Sequence, residues 1–279
     1  MKKRHNKWWA ILFSLPIFGL FLYTQNNALT ISEYSVTSTN IPRSFDGYRI
    51  LQLSDLHNHS FGENQQKLVA KVNELRPDIV VLTGDLIDSR RYDEKPSLLL
   101  VEQLTKIVPV YYVTGNHEWR TGTFLEFEKR LKKAGVNVLR NETIALEQSK
   151  EQIFLHGVDD PSATPNQTPT DAIDNALSSL PLTEGYHVLL AHRPEFFSVY
   201  KKYDLDIVFS GHAHGGQIRL PFFGGLFAPG QGILPKITEG IHTKENTSIV
   251  VSRGLGNSLF PFRILNKPEI VVVTLKKDI

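Results

Sequence analysis

Apolar residues enter this chain in two ways. Over residues 8–23 they form one almost unbroken run behind a basic head. Further on they come in short blocks separated by amphipathic or polar stretches. Arg49–Leu53, 79–82, Val110–Val113, 188–190 and 207–209 are near-continuous apolar runs, the pattern of strands buried on both faces. Strands are also predicted near 34–36, at 136–139, 143–146 and 153–157, and at 249–252 and 270–275 near the end. Helical spacing covers 63–75, where Leu68, Val72 and Leu75 share a stripe and Pro77 ends it. Residues 97–107, 124–134 (with Gly135 as the stop) and 171–180 read as further helices. Between them, residues 161–169 form a polar, proline-rich loop.

The alternation of strand and helix predicts a mostly parallel, layered α/β core. The strand-rich later part adds a second sheet packed on the first. No internal repeat or low-complexity stretch stands out, and 279 residues are enough for a sizeable core. The organisation expected is residues 1–30 as basic head and membrane anchor or signal, and 31–279 as one globular domain.

Five of the apolar runs end in residues that hold metals. The first runs into Asp55 and His57, the second into Gly84-Asp85, and the third into Gly115-Asn116-His117-Glu118. The fourth runs into His192, and the fifth into Gly211-His212-Ala213-His214. Packing has no use for His, Asp and Asn in this order. Loops at strand ends are where α/β proteins build sites, and right-handed crossovers put all five ends on one edge. The chain has no Cys, so disulfides and thiolate sites are excluded and any metal takes N and O ligands. Seven such side chains exceed the needs of one four-coordinate ion. With Asp85 shared, they suit two divalent ions, with Mn, Zn or Fe ahead of Ca or Mg.

Charge adds one exclusion. The formal net charge is +2, and Lys2, Lys3, Arg4 and Lys7 alone carry four positive charges, so the remainder is net acidic. The globular part lacks the basic character that binds nucleic acid. The basic head and apolar run read as an uncleaved, single-pass transmembrane anchor, short against the roughly 20 apolar residues of a full span. Trp8, Trp9 and Tyr23 would sit at the interfaces. Everything after about Thr24 then lies outside the cytoplasm, at the cell membrane. Secretion after signal cleavage is the alternative, although no small-x-small cleavage site is evident near Ala28.

The blocks Asp55-Leu56-His57, Gly84-Asp85, Gly115-Asn116-His117-Glu118, His192 and Gly211-His212-Ala213-His214 together resemble the signature of the calcineurin-like metallophosphoesterases. All are present in order, and the resemblance spans about residues 48–275. Residues 211–217 and 251–256 further resemble the membrane-associated bacterial phosphodiesterase branch. The resemblance implies a layered α/β/β/α sandwich and hydrolysis of a phosphate ester by a metal-activated water. It implies Asp55, His57, Asp85 and His214 as ligands of one ion, and Asp85, Asn116, His192 and His212 as ligands of the other. It makes His117 the non-ligand histidine that protonates the leaving oxygen or steadies phosphoryl charge, with Asp88 either orienting that imidazole or capping its loop. The substrate class implied is a phosphoester, with lipid-linked and cell-envelope esters as candidates. The competing readings are a metal-containing envelope binding module without turnover, and a nuclease, which the acidic globular part disfavours.

Other residues have plainer expectations. His59 reads as a solvated loop residue, and His156, His187 and His242 as structural or exposed. Glu118 reads as a support behind the ligands, and Arg193 as either a phosphate contact or a surface residue. Residues 221–234 are rich in Gly and Pro yet carry Phe222, Phe223, Leu226 and Phe227. They form either a lip beside the site that meets lipid or an acyl-bearing substrate, or a loop packed under the second sheet.

Overall fold

The computed structural model describes residues 2–258 and 260–278, with side chains from Ser14 onward. Two six-stranded sheets lie face to face. The first contains β1 (Thr30–Ser38), β2 (Arg49–Leu53), β3 (Ile79–Thr83), β4 (Val110–Val113) and β5 (Asn137–Val138). The second contains β6 (Glu142–Gln148), β7 (Glu151–Gly157), β8 (His187–Leu190) and β9 (Ile207–Ser210). Two small hairpins follow, β10 (Arg219–Leu220) with β11 (Gly224–Gly225) and β12 (Phe227–Ala228) with β13 (Gly232–Ile233). Then β14 (Gly240–Lys244) and β15 (Thr247–Val251) complete the second sheet, and β16 (Glu269–Lys277) returns to the first.

Strand order is β1-β16-β2-β3-β4-β5 in one sheet and β14-β15-β9-β8-β7-β6 in the other. The runs β2-β3-β4-β5 and β15-β9-β8-β7 are parallel. Their continuous apolar sequences are explained by burial on both faces. Leu51, Val80, Leu82 and Tyr112 face α2 (Gln66–Leu75), α3 (Lys95–Leu104) and α5 (Phe124–Lys133) through Leu68, Val72, Leu100 and Phe127. Ile50, Val81 and Val113 point the other way, into the inter-sheet layer with Leu155, Val188, Leu190 and Phe209. Leu189, Val208 and Ile249 meet Ile173 and Leu177 of α6 (Pro169–Ser178) and Tyr200 of α7 (Phe197–Tyr200). This is the four-layer α/β/β/α sandwich that was expected.

The two sheets are tied where the site lies. Gln52 is fully buried in β2, and its amide nitrogen donates to Thr83 Oγ1 at 2.9 Å and to Ser210 O in the second sheet at 2.8 Å. A buried amide with both donors satisfied fixes the register of one sheet on the other. It brings the carboxyl ends of β2, β3, β4, β8 and β9 to one edge.

Three parts differ from the sequence expectations. The short α4 (Asn116–Arg120) and α7 have too few residues to show a period, and both carry or support site residues. Residues 219–233 form the two hairpins, with Phe222 and Phe223 exposed to solvent and Ala228 buried against the second sheet. The third is the N-terminus. Helix α1 (Lys2–Asn27) forms, but among the described residues no helix is long and apolar enough to cross a membrane. The sixteen residues 8–23 rise only about 24 Å as a helix, short of the ~30 Å hydrocarbon core. The side chains of the basic head and of Trp8 and Trp9 lie outside the described residues. Leu15, Ile17, Phe18 and Leu20 are exposed. The end of α1 is docked: Asn26 Oδ1 accepts from Asn257 Nδ2 at 2.8 Å and Arg263 N at 2.9 Å, and Gln25 Oε1 from Asn266 N at 3.2 Å.

Candidate metal centre

Each predicted ligand sits just beyond a strand. Asp55 and His57 follow β2, Asp85 follows β3, Asn116 opens α4 after β4, His192 follows β8, and His212 and His214 follow β9. The structure brings all seven together, each buried. Five of them, Asp55, His57, Asp85, His212 and His214, hold φ between 46° and 64°. Non-glycine residues reach this left-handed region at a cost, and such strain collects where side chains must be aimed. Two glycines make room. A Cβ on Gly84 would lie 2.6 Å from His192 Nδ1, and one on Gly211 would lie 2.3 Å from Asp55 Oδ2.

The donor atoms form two groups that share one carboxylate. Asp55, His57 and His214 converge in the first, with His214 Nε2 3.3 Å from Asp55 Oδ1 and 3.2 Å from His57 Nε2. Asp85, His192 and His212 converge in the second, with His192 Nε2 3.3 Å from Asp85 Oδ2 and 3.1 Å from His212 Nδ1. Asp85 Oδ2 also lies 3.6 Å from His57 Nε2, so it faces both groups. His192 Nδ1 donates to Thr83 O at 2.7 Å, which turns Nε2 toward the cluster.

These contacts test whether a metal fits. Burial holds His57, His212 and His214 below the usual imidazole range, so each ring is neutral and can offer one lone-pair nitrogen. The Asn116 amide oxygen lies 2.9 Å from His212 Nδ1; turning the amide over would make an ordinary hydrogen bond. A cation between them satisfies the orientation as it stands. Burial lowers His192 too, but the adjacent Asp85 outweighs it and raises the group to about 10. Burial raises Asp85, yet His192 and His57 hold it well below the carboxylate range. A pocket that keeps positive charge on a buried imidazole also favours a divalent cation among the same atoms. The residues therefore fit a divalent metal centre.

His117 lies beside the donors, its ring 4.6 Å from that of His57. Its Nδ1 accepts from Ser89 N at 3.0 Å, so Nδ1 is an acceptor and the neutral ring carries its proton on Nε2. Nε2 is 3.1 Å from Ser258 Oγ. Asp88 does not hold this imidazole as the orienting reading expected. Its nearest oxygen is 3.6 Å from Nδ1, and the carboxylate accepts from Arg90 N at 2.8 Å and Arg91 Nη2 at 2.8 Å. Asp88 is the loop cap, and the Ser89 backbone takes the orienting part. Neither Ser89 nor Ser258 carries a sequence signal, because each meets His117 only through the fold.

Glu118 supports the centre. Its Oε2 accepts from Asp85 N at 3.0 Å and Gly115 N at 2.8 Å, and Oε1 from Leu86 N at 2.8 Å. Burial and the Asp85 charge push its pKa up to about 7, against the pull of these N–H groups. Glu118→Gln turns an NH₂ toward one set of N–H donors. It should lower unfolding free energy by about 1.5–3 kcal/mol, the range for hydrogen bonds to charged groups. A denaturant melt checks this, and a change below a few tenths of a kcal/mol would remove the supporting role. Arg263, fully buried, supports the Asp55 loop from the other side. It donates to Gly256 O at 2.6 Å and Arg253 O at 2.8 Å, while Gly256 N donates to Asp55 O at 2.7 Å. Burial lowers its pKa to about 10. Arg193 is largely buried: Asp160 grips its guanidinium at 2.6 and 3.0 Å, and the residue lines the cavity over the donors. A cavity of about 300 Å³ opens over the donors, with exposed Arg90 and Arg120 among its walls.

Comparison with known proteins agrees with this geometry. A family profile described as calcineurin-like phosphoesterase matches residues 48–216. The chain is 32% identical over 265 residues to an uncharacterized metallophosphoesterase, YkuE, of Bacillus subtilis, covering 93% of this chain and 90% of that one. It is 30% identical to a transmembrane protein with metallophosphoesterase domain from Danio rerio, covering 94% of this chain and 60% of the relative. Among solved structures, TT1561 of Thermus thermophilus superposes with a TM-score of 0.53 at 13% identity, over 75% of this chain and 90% of the other, which shows the shared fold. With the buried N/O donor clusters already at the strand ends, the chain belongs to the calcineurin-like phosphoesterase family and is a hydrolase of phosphoric esters.

Proposed function

We propose that the protein hydrolyses a phosphodiester at a dinuclear centre. Asp55, His57, Asp85 and His214 would hold one ion, and Asp85, Asn116, His192 and His212 the other. The observation that carries this reading is the convergence of two donor groups on the one carboxylate of Asp85. Mn, Zn or Fe suits this imidazole and oxygen set. Two such ions, when bound, would supply an activated water and neutralise charge on the phosphoryl group. The chain supplies the rest. His117, with its proton on Nε2, faces the cavity and would donate it to the leaving oxygen. Arg90 and Arg120 would orient the phosphate anion.

The direct test refills metal-stripped protein with Mn, Zn, Fe, Mg or Ca and follows turnover of aryl phosphate mono- and diesters. Turnover should return with Mn, Zn or Fe, with two ions per chain by elemental analysis and diesters favoured. One ion in fully active protein would sink the dinuclear centre, and a monoester preference would sink the diesterase part.

The same reading assigns residues 1–30 as a tether and 31–279 as a hydrolase domain at the outer face of the cell membrane. Support comes from the apolar run behind a basic head and from the exposed Leu15, Ile17, Phe18 and Leu20. Lipid-linked or cell-envelope phosphoesters are the substrates such a position favours. The protein should fractionate with membranes, and protease added to intact spheroplasts should digest the domain. Recovery in the medium, with its N-terminus removed, would replace the tether with secretion after cleavage.

A further inference from the structure

A second cavity, of about 320 Å³, lies against the metal centre. His214, Phe227, Pro229 and Ser258 line both it and the cavity over the metals, so the two are adjacent. The remaining wall is mostly apolar, with Ile218, Leu226 and Phe260 as its side chains. The Gln217 amide nitrogen is turned to the carbonyls of Phe260 and Phe262, each at 3.3 Å.

We propose that this cavity is a subsite for one saturated acyl or alkyl chain carried on the phosphoester substrate. The inference rests on the phosphoesterase reading and names the kind of substituent that reading leaves open. Three observations carry it. The first is construction. The hairpin strap is pinned across residues 214–218: Leu226 N donates to Ile218 O at 2.8 Å and Gly216 O at 3.2 Å. Gly216 lets the strap pass so close that a Cβ there would lie 2.2 Å from Gly225 Cα. An apolar wall held this way beside a polar centre is a built surface.

The second observation is chemical. A base or sugar placed between these walls would bury donors and acceptors with few partners, which costs roughly 1–3 kcal/mol for each one left unpaired. A methylene chain buries none. The third is position. Phe222, Phe223, Ile233 and Leu234 are exposed on the same strap. On the other side, Asn257, Arg263 and Asn266, which flank Phe260, hold the end of α1 through Gln25 and Asn26. The helix that carries the exposed Leu15, Ile17, Phe18 and Leu20 is thus anchored at its C-terminal end beside the segment that walls the cavity. A monomeric soluble surface rarely carries so much exposed apolar area next to a site.

The test is a series of p-nitrophenyl phosphodiesters whose second substituent is methyl, butyl, octyl or dodecyl, assayed below their micelle concentrations. In the metal-loaded protein, kcat/KM should rise with chain length by up to about fourfold per buried methylene, equivalent to ~0.8 kcal/mol, then level off. Leu226→Trp and, separately, Ile218→Phe fill the cavity and should flatten that dependence; two sites guard against one variant misfolding. Calorimetric binding of butyl and dodecyl phosphate reads the subsite without turnover. Tighter binding of the longer chain, lost in the filled variants, supports the subsite. Equal affinity for both chains, or the same chain-length slope in wild type and both variants, overturns it. Chain-dependent binding without hydrolysis of any diester would sink the diesterase reading and leave the subsite standing.

Discussion

Asp85→Asn is expected to lower kcat/KM by about 10³-fold and to reduce metal content from two ions per chain to one or none. The reason is geometric. Asp85 Oδ2 faces His192 Nε2 at 3.3 Å and His57 Nε2 at 3.6 Å, so its negative charge serves both donor groups at once. A metal clamp is worth several kcal/mol of transition-state charge stabilisation, and about 4 kcal/mol is roughly 10³ in rate. Asparagine has the same shape, so the fold should survive. Oδ1 can still accept from His117 N, now 2.8 Å away, and Glu118 still holds the backbone N–H. Gly115 packs so tightly that a Cβ on it would lie 2.2 Å from Asp85 Oδ1, which leaves the side chain no room to swing aside. Elemental analysis, steady-state kinetics and circular dichroism on the same preparation check the expectation. Two ions retained with native activity would show that Asp85 is not shared.

His117→Ala should behave differently. Metal content should stay at the wild-type level while kcat falls about 10²–10⁴-fold, the range for a positioned acid. Nδ1 is occupied by the Ser89 N–H, so only Nε2 can act, and it faces the cavity beside Ser258. The loss should be largest on esters with poor leaving groups, whose departing oxygen most needs a proton, and smallest on p-nitrophenyl esters. His117 also lies within reach of His57 and Asp85 as a third donor group. Loss of metal in the variant would make it a ligand and overturn the acid role. A fall of equal size on all leaving groups would point to charge stabilisation instead.

Much of the core and of the donor set was legible in the chain. Strands such as β3, with Val80 and Leu82 toward one layer and Ile79 and Val81 toward the other, must be apolar at every position. That leaves an unbroken run which sequence displays directly. The donors stood out because Asp55, His57, Asp85, His192, His212 and His214 serve no packing purpose at strand ends. The short helix α4 was hidden, since five residues span little more than one turn. The hairpins of residues 219–233 were hidden too, because strands of two residues among glycines carry no period.

Asp88 shows where local reasoning stopped. Its place three residues after Asp85 fits either holding His117 or capping the loop. Its loop turns the carboxylate toward Arg90 N and the Arg91 guanidinium, and presents the Ser89 amide to the ring. The α1 run was legible as apolar. Its shortness against a bilayer was legible too, but its docking on Asn257, Arg263 and Asn266 through Gln25 and Asn26 was not.

The chain alone thus specifies what depends on near neighbours: period, burial pattern, and the kind of atom offered at each strand end. Contacts between distant segments belong to the fold. Gln52 reaches Ser210 across 158 residues, Ser258 reaches His117 across 141, and Gly216 passes under Gly225 only because the strap folds back. Such meetings are set by how two sheets register and how loops close over their edge. Their energies arise only once the layers are packed, so no local pattern of side chains records them.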